Sequence, residues 1–118
     1  MSYSRAAEYN TSEQLIALYS KITSHPARLR ILTQLASAPL TLYQLCEDHP
    51  IPRTTVMRHL NILISHQLVS VESHDFPATY TTQQNLWPPF ISHSVRLTHR
   101  FKSLSRVSRF GEIQSISG

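Results

Sequence analysis

The sequence predicts a mainly α fold with one small β-hairpin, an α+β arrangement in the order α-α-α-α-β-β-α. Three observations predict it. Apolar residues recur at helical spacing in five separate stretches. Prolines at positions 26, 39, 50 and 52 cut the first four stretches apart. Two short β-branched stretches, "LVSVE" and "ATYTTQ", flank the turn segment "SHDFP".

Residues 1–11 are polar and are expected to form a flexible N-terminus. In "TSEQLIALYSKI", Thr11 has Gln14 three residues on, the spacing of a capping box. A first helix over 12–23 follows, with Leu15, Leu18, Tyr19 and Ile22 on one face. Pro26 suits the first turn of a second helix, because its missing N–H has no partner there. That helix runs to about Ser37, with Leu29, Leu32, Leu35 and Ala36 on one side and Arg28 and Arg30 pointing away. Thr41 and Gln44 make a second capping box. The third helix is short, with Leu42, Leu45 and Cys46 inward, because Pro50 and Pro52 close it off. A fourth helix begins at Pro52 and ends near Ser65 or His66, with Val56, Leu60 and Leu63 inward. After the hairpin, "WPPFISHSVRLTHRFKSLSRVSRF" returns to helical spacing. Phe90, Leu97, Phe101 and Leu104 share a face, Ile91 and Val95 lie nearby, and Arg96, Arg100, Lys102, Arg106 and Arg109 fill the remaining surface. One domain over 12–110 is expected, with 111–118 a flexible tail.

Composition narrows the function classes. Eleven Lys and Arg against seven Asp and Glu give +4, which suits a polyanionic partner. Glycine occurs twice, once at the C-terminus, so Gly-rich phosphate loops are excluded. A lone cysteine, Cys46, forms no disulfide within the chain and no Cys-based metal site. "MSYSRAAEYN" lacks the apolar segment of a secretory signal, and no apolar run is long enough for a bilayer. A soluble cytoplasmic protein with no membrane partner is expected. No nucleophile, base and acid are placed together by any motif, so neither an enzyme nor a cofactor is expected.

The third and fourth helices are joined by "DHPIP", the tight connection of a helix-turn-helix, whose second helix enters the major groove. That helix, "PRTTVMRHLNIL", shows Arg53, Thr54 and Thr55 in its first turn and Arg58, His59 and Asn61 in the next. Arg can bond guanine O6 and N7 together, and Thr and Asn serve bases or phosphates. A solvated amphipathic helix explains the same spacing. The Pro-bounded helix before it and the hairpin after it favour recognition.

At this point the chain resembles a family. "HPARLRILTQLASAPLTLYQLCEDHPIPRTTVMRHLNILISHQLVS" is similar to the core of ArsR-type winged helix-turn-helix transcriptional repressors, through "RLRIL", "TTVMRHLNIL" and "LVS", with "PATYTT" as the second wing strand. The resemblance covers about 12–86. It implies a dimeric winged helix that binds double-stranded DNA. The fourth helix would read DNA, through Arg53, Thr54, Thr55, Arg58 and His59. The first and last helices would form a homodimer interface of Leu15, Leu18, Tyr19, Ile22, Phe90, Leu97, Phe101 and Leu104. Arg28 or Arg30 is expected to touch phosphate.

Departures from the family pattern shape the expectation. Thr41 and Tyr43 stand where the family's metal sensors carry Cys-x-Cys, so that site cannot form. Cys46 reads as a small buried hydrophobe. His93 and His99 are six residues apart, a rotation of roughly 600°, so one helix does not bring them together. A metal site between subunits stays open. Gln67 stands where the family often has Gly at the end of the fourth helix. The wing tip "ESHDFPA" has Glu72 and Asp75 and no Lys or Arg, so only a protonated His74 can serve DNA there. Phe76 either packs inward or meets a partner. The expected function is a sequence-specific DNA-binding transcriptional regulator, a homodimeric repressor. The rivals are a winged-helix protein-interaction module and a thiol- or metal-responsive sensor.

Overall fold

The computed structural model describes residues 8–73 and 75–101. His74, Leu104 and the segment 102–118 lie outside the described residues, together with the roles expected of them. The elements are α1 (Thr11–Ile22), α2 (Pro26–Ser37), β1 (Leu40–Thr41), α3 (Leu42–Glu47), α4 (Arg53–Ser65), β2 (Ser70–Ser73) and β3 (Thr79–Thr81). A 3-10 turn at Gln84–Leu86 leads into α5, helical from 89 through 101, the last described position.

Local chemistry sets each start and stop. The first capping box differs from the expected one: Asn10 Oδ1 accepts from the Glu13 backbone N–H at 2.8 Å, and Glu13 returns the bond to Asn10. The box moves one residue back because Asn and Glu there form the same reciprocal pair as Thr11 and Gln14, and Gln14 Nε2 donates to the Tyr9 carbonyl. The second box is as expected, Thr41 with Gln44. Pro26 occupies the first turn of α2. Pro52 is the cap of α4, which starts at Arg53, one residue later than expected.

Strand β1 was not anticipated. Ala38, ahead of Pro39, is extended at φ −167°, and Thr41 is extended as the cap of α3. Leu40 and Thr41 between them stay extended and pair antiparallel with β3, Leu40 opposite Tyr80 and Thr41 opposite Thr79. The hairpin thus becomes a three-stranded sheet in the order β1-β3-β2, with an irregularity in β2 between Val71 and Ser73.

The core joins Ile31, Leu32 and Leu35 of α2, Leu45 of α3, Val56, Leu60 and Leu63 of α4, and Ile91 and Val95 of α5. Each such burial contributes about 1.5–3 kcal/mol. The polar atom of Trp87 is also satisfied inside: its indole N–H donates to the Leu68 carbonyl at 3.1 Å, which docks the start of α5 onto the end of α4. Among the described residues no helix is long and apolar enough to cross a membrane.

The C-terminus of α4 keeps a left-handed residue without glycine. Gln67 has φ 63°. Its N–H bonds the Ile64 carbonyl, and the Leu68 N–H bonds the Leu63 carbonyl at 3.0 Å. This is a Schellman closure, with Leu63 and Leu68 both buried.

Candidate nucleic-acid interface

Three fully buried side chains, Val56, Leu60 and Leu63, fix which side of α4 faces inward. The opposite stripe, Arg53, Thr54, Arg58 and Asn61, is exposed. These positions lie on one helical face, since eight residues advance about 800°, or 80° beyond two turns. The cap residue Pro52 supplies no side-chain acceptor, so the positive end of α4 points outward uncapped by a side chain.

Thr55 and His59 do not join that stripe. Both are half-buried on the flank of α4 that faces α2. His59 Nδ1 accepts from Arg28 Nε at 3.1 Å, and the His25 ring tilts against the His59 ring at 5.3 Å between centroids. The expectation that His59 faces the groove with Arg58 is therefore corrected: a rotation of 100° from Arg58 carries it onto the α2 side. Burial, then the neighbouring Arg28, His25 and Arg58, pull its proton affinity below the ordinary imidazole value.

Arg28 is likewise committed within the protomer. Its second donation, from Nη1, goes to the Ile22 carbonyl at 3.1 Å, so one guanidinium ties the end of α1 to α4. It is half-buried, which corrects its expected place at the surface. Arg30 is exposed, and its Nη1 donates to the Asp48 carbonyl in the α3–α4 turn. Gln34 completes the clasp: its Nε2 donates to the Leu45 carbonyl, and its Oε1 lies 2.9 Å from His49 Nε2. Burial and the nearby Arg30 lower the proton affinity of His49, with Asp48 opposing. Helix α2 thus sets the angle of the helix-turn-helix through Arg28, Arg30 and Gln34. Sequence reasoning missed Gln34 and His49; the only available signal was a polar residue on the side of α2 that also carries Arg30.

The expected interface residues divide between two surroundings. Ile22 is buried within the protomer and packs in its core, which corrects its placement on an outer face. Leu15, Leu18 and Phe101 are exposed, as is Ile16; Tyr19, Phe90 and Leu97 are half-buried. On α5, Ile91 and Val95 turn inward and leave Phe90 and Leu97 half-buried and Phe101 exposed.

The wing differs in character. Glu72 and Asp75 are exposed, and Phe76 is 100% exposed, so it does not pack inward. It borders a cleft with Tyr43 of α3 and Arg53 and Met57 of α4. Among the described residues no group of three or more His, Cys, Asp or Glu is placed to hold a metal ion. Thr41 is used as a helix cap and Tyr43 is largely exposed.

Residues 23–72 match the model of a family described as a helix-turn-helix domain. The fold is that of a winged helix-turn-helix. The structure is similar to the transcriptional repressor BigR of Xylella fastidiosa, with TM-score 0.63, 20% identity, and coverage of 86% of this chain and 91% of that one. It is similar to reduced HlyU of Vibrio cholerae, with TM-score 0.60, 22% identity, and coverage of 82% and 96%. An ArsR-like transcriptional regulator from Rhodococcus sp. RHA1 gives TM-score 0.56 at 21% identity, covering 91% and 96%. No curated protein sequence matches the chain. At these identities the likeness is one of fold, and in this winged helix-turn-helix α4 is the second helix of the turn.

Proposed function

We propose that this chain is an ArsR-type, sequence-specific DNA-binding transcriptional regulator, a cytoplasmic homodimer that acts as a repressor through one domain spanning 12–110. The observation that carries this reading is the exposed Arg53, Thr54, Arg58 and Asn61 stripe on a helix whose other side is locked in the core. Arg53 and Arg58 meet guanine edges or phosphates, Asn61 meets an adenine edge, and Thr54 meets the backbone near the helix start. Thr55 lies at the edge of this footprint. Arg30 reaches a flanking phosphate if it releases the turn. Leu15, Leu18, Tyr19, Phe90, Leu97 and Phe101 bury a two-fold interface, which places two α4 helices on successive turns of DNA. BigR is itself described as a transcriptional repressor, which supports the sign of regulation.

The test is a salt series on genomic fragments with wild type and Arg58→Ala. Specific binding with a steep negative salt slope is expected. The variant should lose about 1–3 kcal/mol, about tenfold to a hundredfold in affinity. Absence of specific binding to every fragment overturns the reading. The second reading, a protein-interaction module, is favoured by one feature: the acidic wing with Phe76 fully exposed beside Tyr43. In that case Phe76→Ala abolishes partner capture and Arg58→Ala does not.

A further inference from the structure

Cationic and imidazole side chains converge behind the recognition helix. The first turn of α2, the α3–α4 turn and the inner flank of α4 enclose a cleft of about 280 Å³, with His25, Arg30, His49, Thr55 and His59 as its polar walls. No carboxylate lines it. Arg28 stands against His59, and Arg58 follows on α4. Asp48, in the turn, is the acid that bears on His49. The site is thus built from three elements, with its positive groups gathered rather than dispersed.

Such a gathering carries a cost when empty. Two unit charges about 5 Å apart repel by about 1–3 kcal/mol over the range from bulk water to a protein surface. The molecule avoids most of it by holding imidazoles neutral. His59 accepts from Arg28 through Nδ1, so its one proton sits on Nε2. Gln34 presents its Oε1 to His49 Nε2 because its amide N–H is used on Leu45, so Nδ1 of His49 is the nitrogen left to take a second proton. Burial and the surrounding cations hold both rings below the usual imidazole value. An anion placed among them reverses the sign of every one of these interactions. The volume holds several waters at about 30 Å³ each, enough for a tetrahedral anion that displaces them.

We propose that this cleft is an oxyanion site that takes a phosphate group, and that it fills with uptake of protons by His49 and His59. Arg30 supplies the permanent charge, Thr55 a hydroxyl donor, His25 an N–H at the rim, and His49 and His59 the N–H groups that strengthen as they charge. The same chemistry suits a phosphodiester of the DNA backbone beside α4 or a free phosphate. Only the DNA source rests on the DNA-binding reading.

The test uses the full chain and sodium sulfate, a dianion at both pH values, against sodium chloride of matched ionic strength. Imidazole signals are followed by NMR at about pH 6 and about pH 8. The three histidines are expected to shift together with sulfate and not with chloride. Affinity is expected to rise as pH falls, by up to about tenfold per pH unit for each proton taken up. His59→Asn keeps an acceptor for Arg28 and cannot charge; His49→Gln keeps a donor for Gln34. Each should flatten the pH dependence while thermal unfolding at about pH 8 stays near wild type. In a second arm, duplex affinity is measured at both pH values. A gain at low pH that His59→Asn diminishes supports the site with the DNA backbone as source. Sulfate binding without that gain supports it with a free oxyanion as source. If sulfate moves no imidazole beyond chloride, or binds equally at both pH values, the proposal is overturned. Failure of wild type to bind any duplex overturns the DNA-binding reading alone, and the sulfate arm still decides this site.

Discussion

Helix α4 and the wing tip are presented by one fold but are held in opposite ways. Helix α4 is seated by three fully buried side chains and clasped from behind by Arg28, Arg30 and Gln34, directly or through the turn. Its outer stripe carries two arginines and no acid. The wing carries Glu72 on an irregular β2 and Asp75 beyond its end, with Phe76 wholly in solvent. Phosphate attraction supplies much of the affinity of proteins for DNA. Under the proposed function, the contrast concentrates DNA binding on α4 and gives the wing a neutral or repelling role.

The largest expected effect attacks the seating of α4. Leu60 is fully buried at the middle of the helix. Leu60→Ala should cost about 2–5 kcal/mol of unfolding free energy, read from denaturant midpoints at constant slope. If the loss is below about 1 kcal/mol, the helix is not held as described.

Next comes the wing. Replacing Glu72 and Asp75 together by Lys converts a repelling tip into an attracting one. Duplex affinity should rise by about tenfold or more, and the salt slope should steepen by about one for each new phosphate contact. An unchanged slope would show that the tip stays away from the backbone. It would then separate the two regions still further, leaving Arg53 and Arg58 with the whole electrostatic load.

How much of this contrast was legible beforehand follows the range of the forces involved. The helices, the hairpin, the core trio of α4 and the acidic wing are all local patterns, and periodicity and capping display them. The resemblance carried by "RLRIL" and "TTVMRHLNIL" supplied the winged-helix arrangement. What escaped depends on neighbours distant in sequence. Strand β1 exists because residues 40 and 41 meet 79 and 80, thirty-eight or more positions away. His59 looked like a base-reading residue because its helix position is polar; it turns away because Arg28, thirty-one residues earlier, offers it a hydrogen bond. Ile22 shares the α1 stripe with Leu15 and Leu18, yet it ends the helix inside the core. A single amphipathic stripe cannot announce that it divides between a protomer's core and an outer face.

A gentler effect is the pH dependence of stability, which separates the flank of α4 from its outer face. His49 and His59 both bind protons less readily in the folded chain than imidazole ordinarily does. The unfolded chain, with imidazole near 6.5, therefore holds more protons as pH falls through that value. Their contribution is fully present above about pH 6.5 and is lost progressively below it. Unfolding midpoints should fall on acidification through that window, and less steeply in His59→Asn. Sulfate should blunt the fall by drawing protons onto the folded form. A midpoint that rises on acidification would contradict the neutral, clasped state of these rings.

The smallest effect lies at the other end of α4, where the helix passes into the wing. Gln67 holds φ 63° so that Leu68 can bond back to Leu63 and enter the core. A residue with a Cβ costs about 1–2 kcal/mol in that region, whereas glycine adopts it freely but loses about 0.5–1 kcal/mol more backbone entropy on folding. The difference predicts that Gln67→Gly stabilises the chain by about 0.5–1 kcal/mol. Gln67→Ala should leave it near wild type, since the Gln side chain is exposed. Neither change touches the stripe of Arg53 and Arg58, so duplex affinity should not move. If glycine destabilises instead, the closure does not depend on a left-handed residue, and the path from recognition helix to wing is set by the Leu63 and Leu68 packing alone.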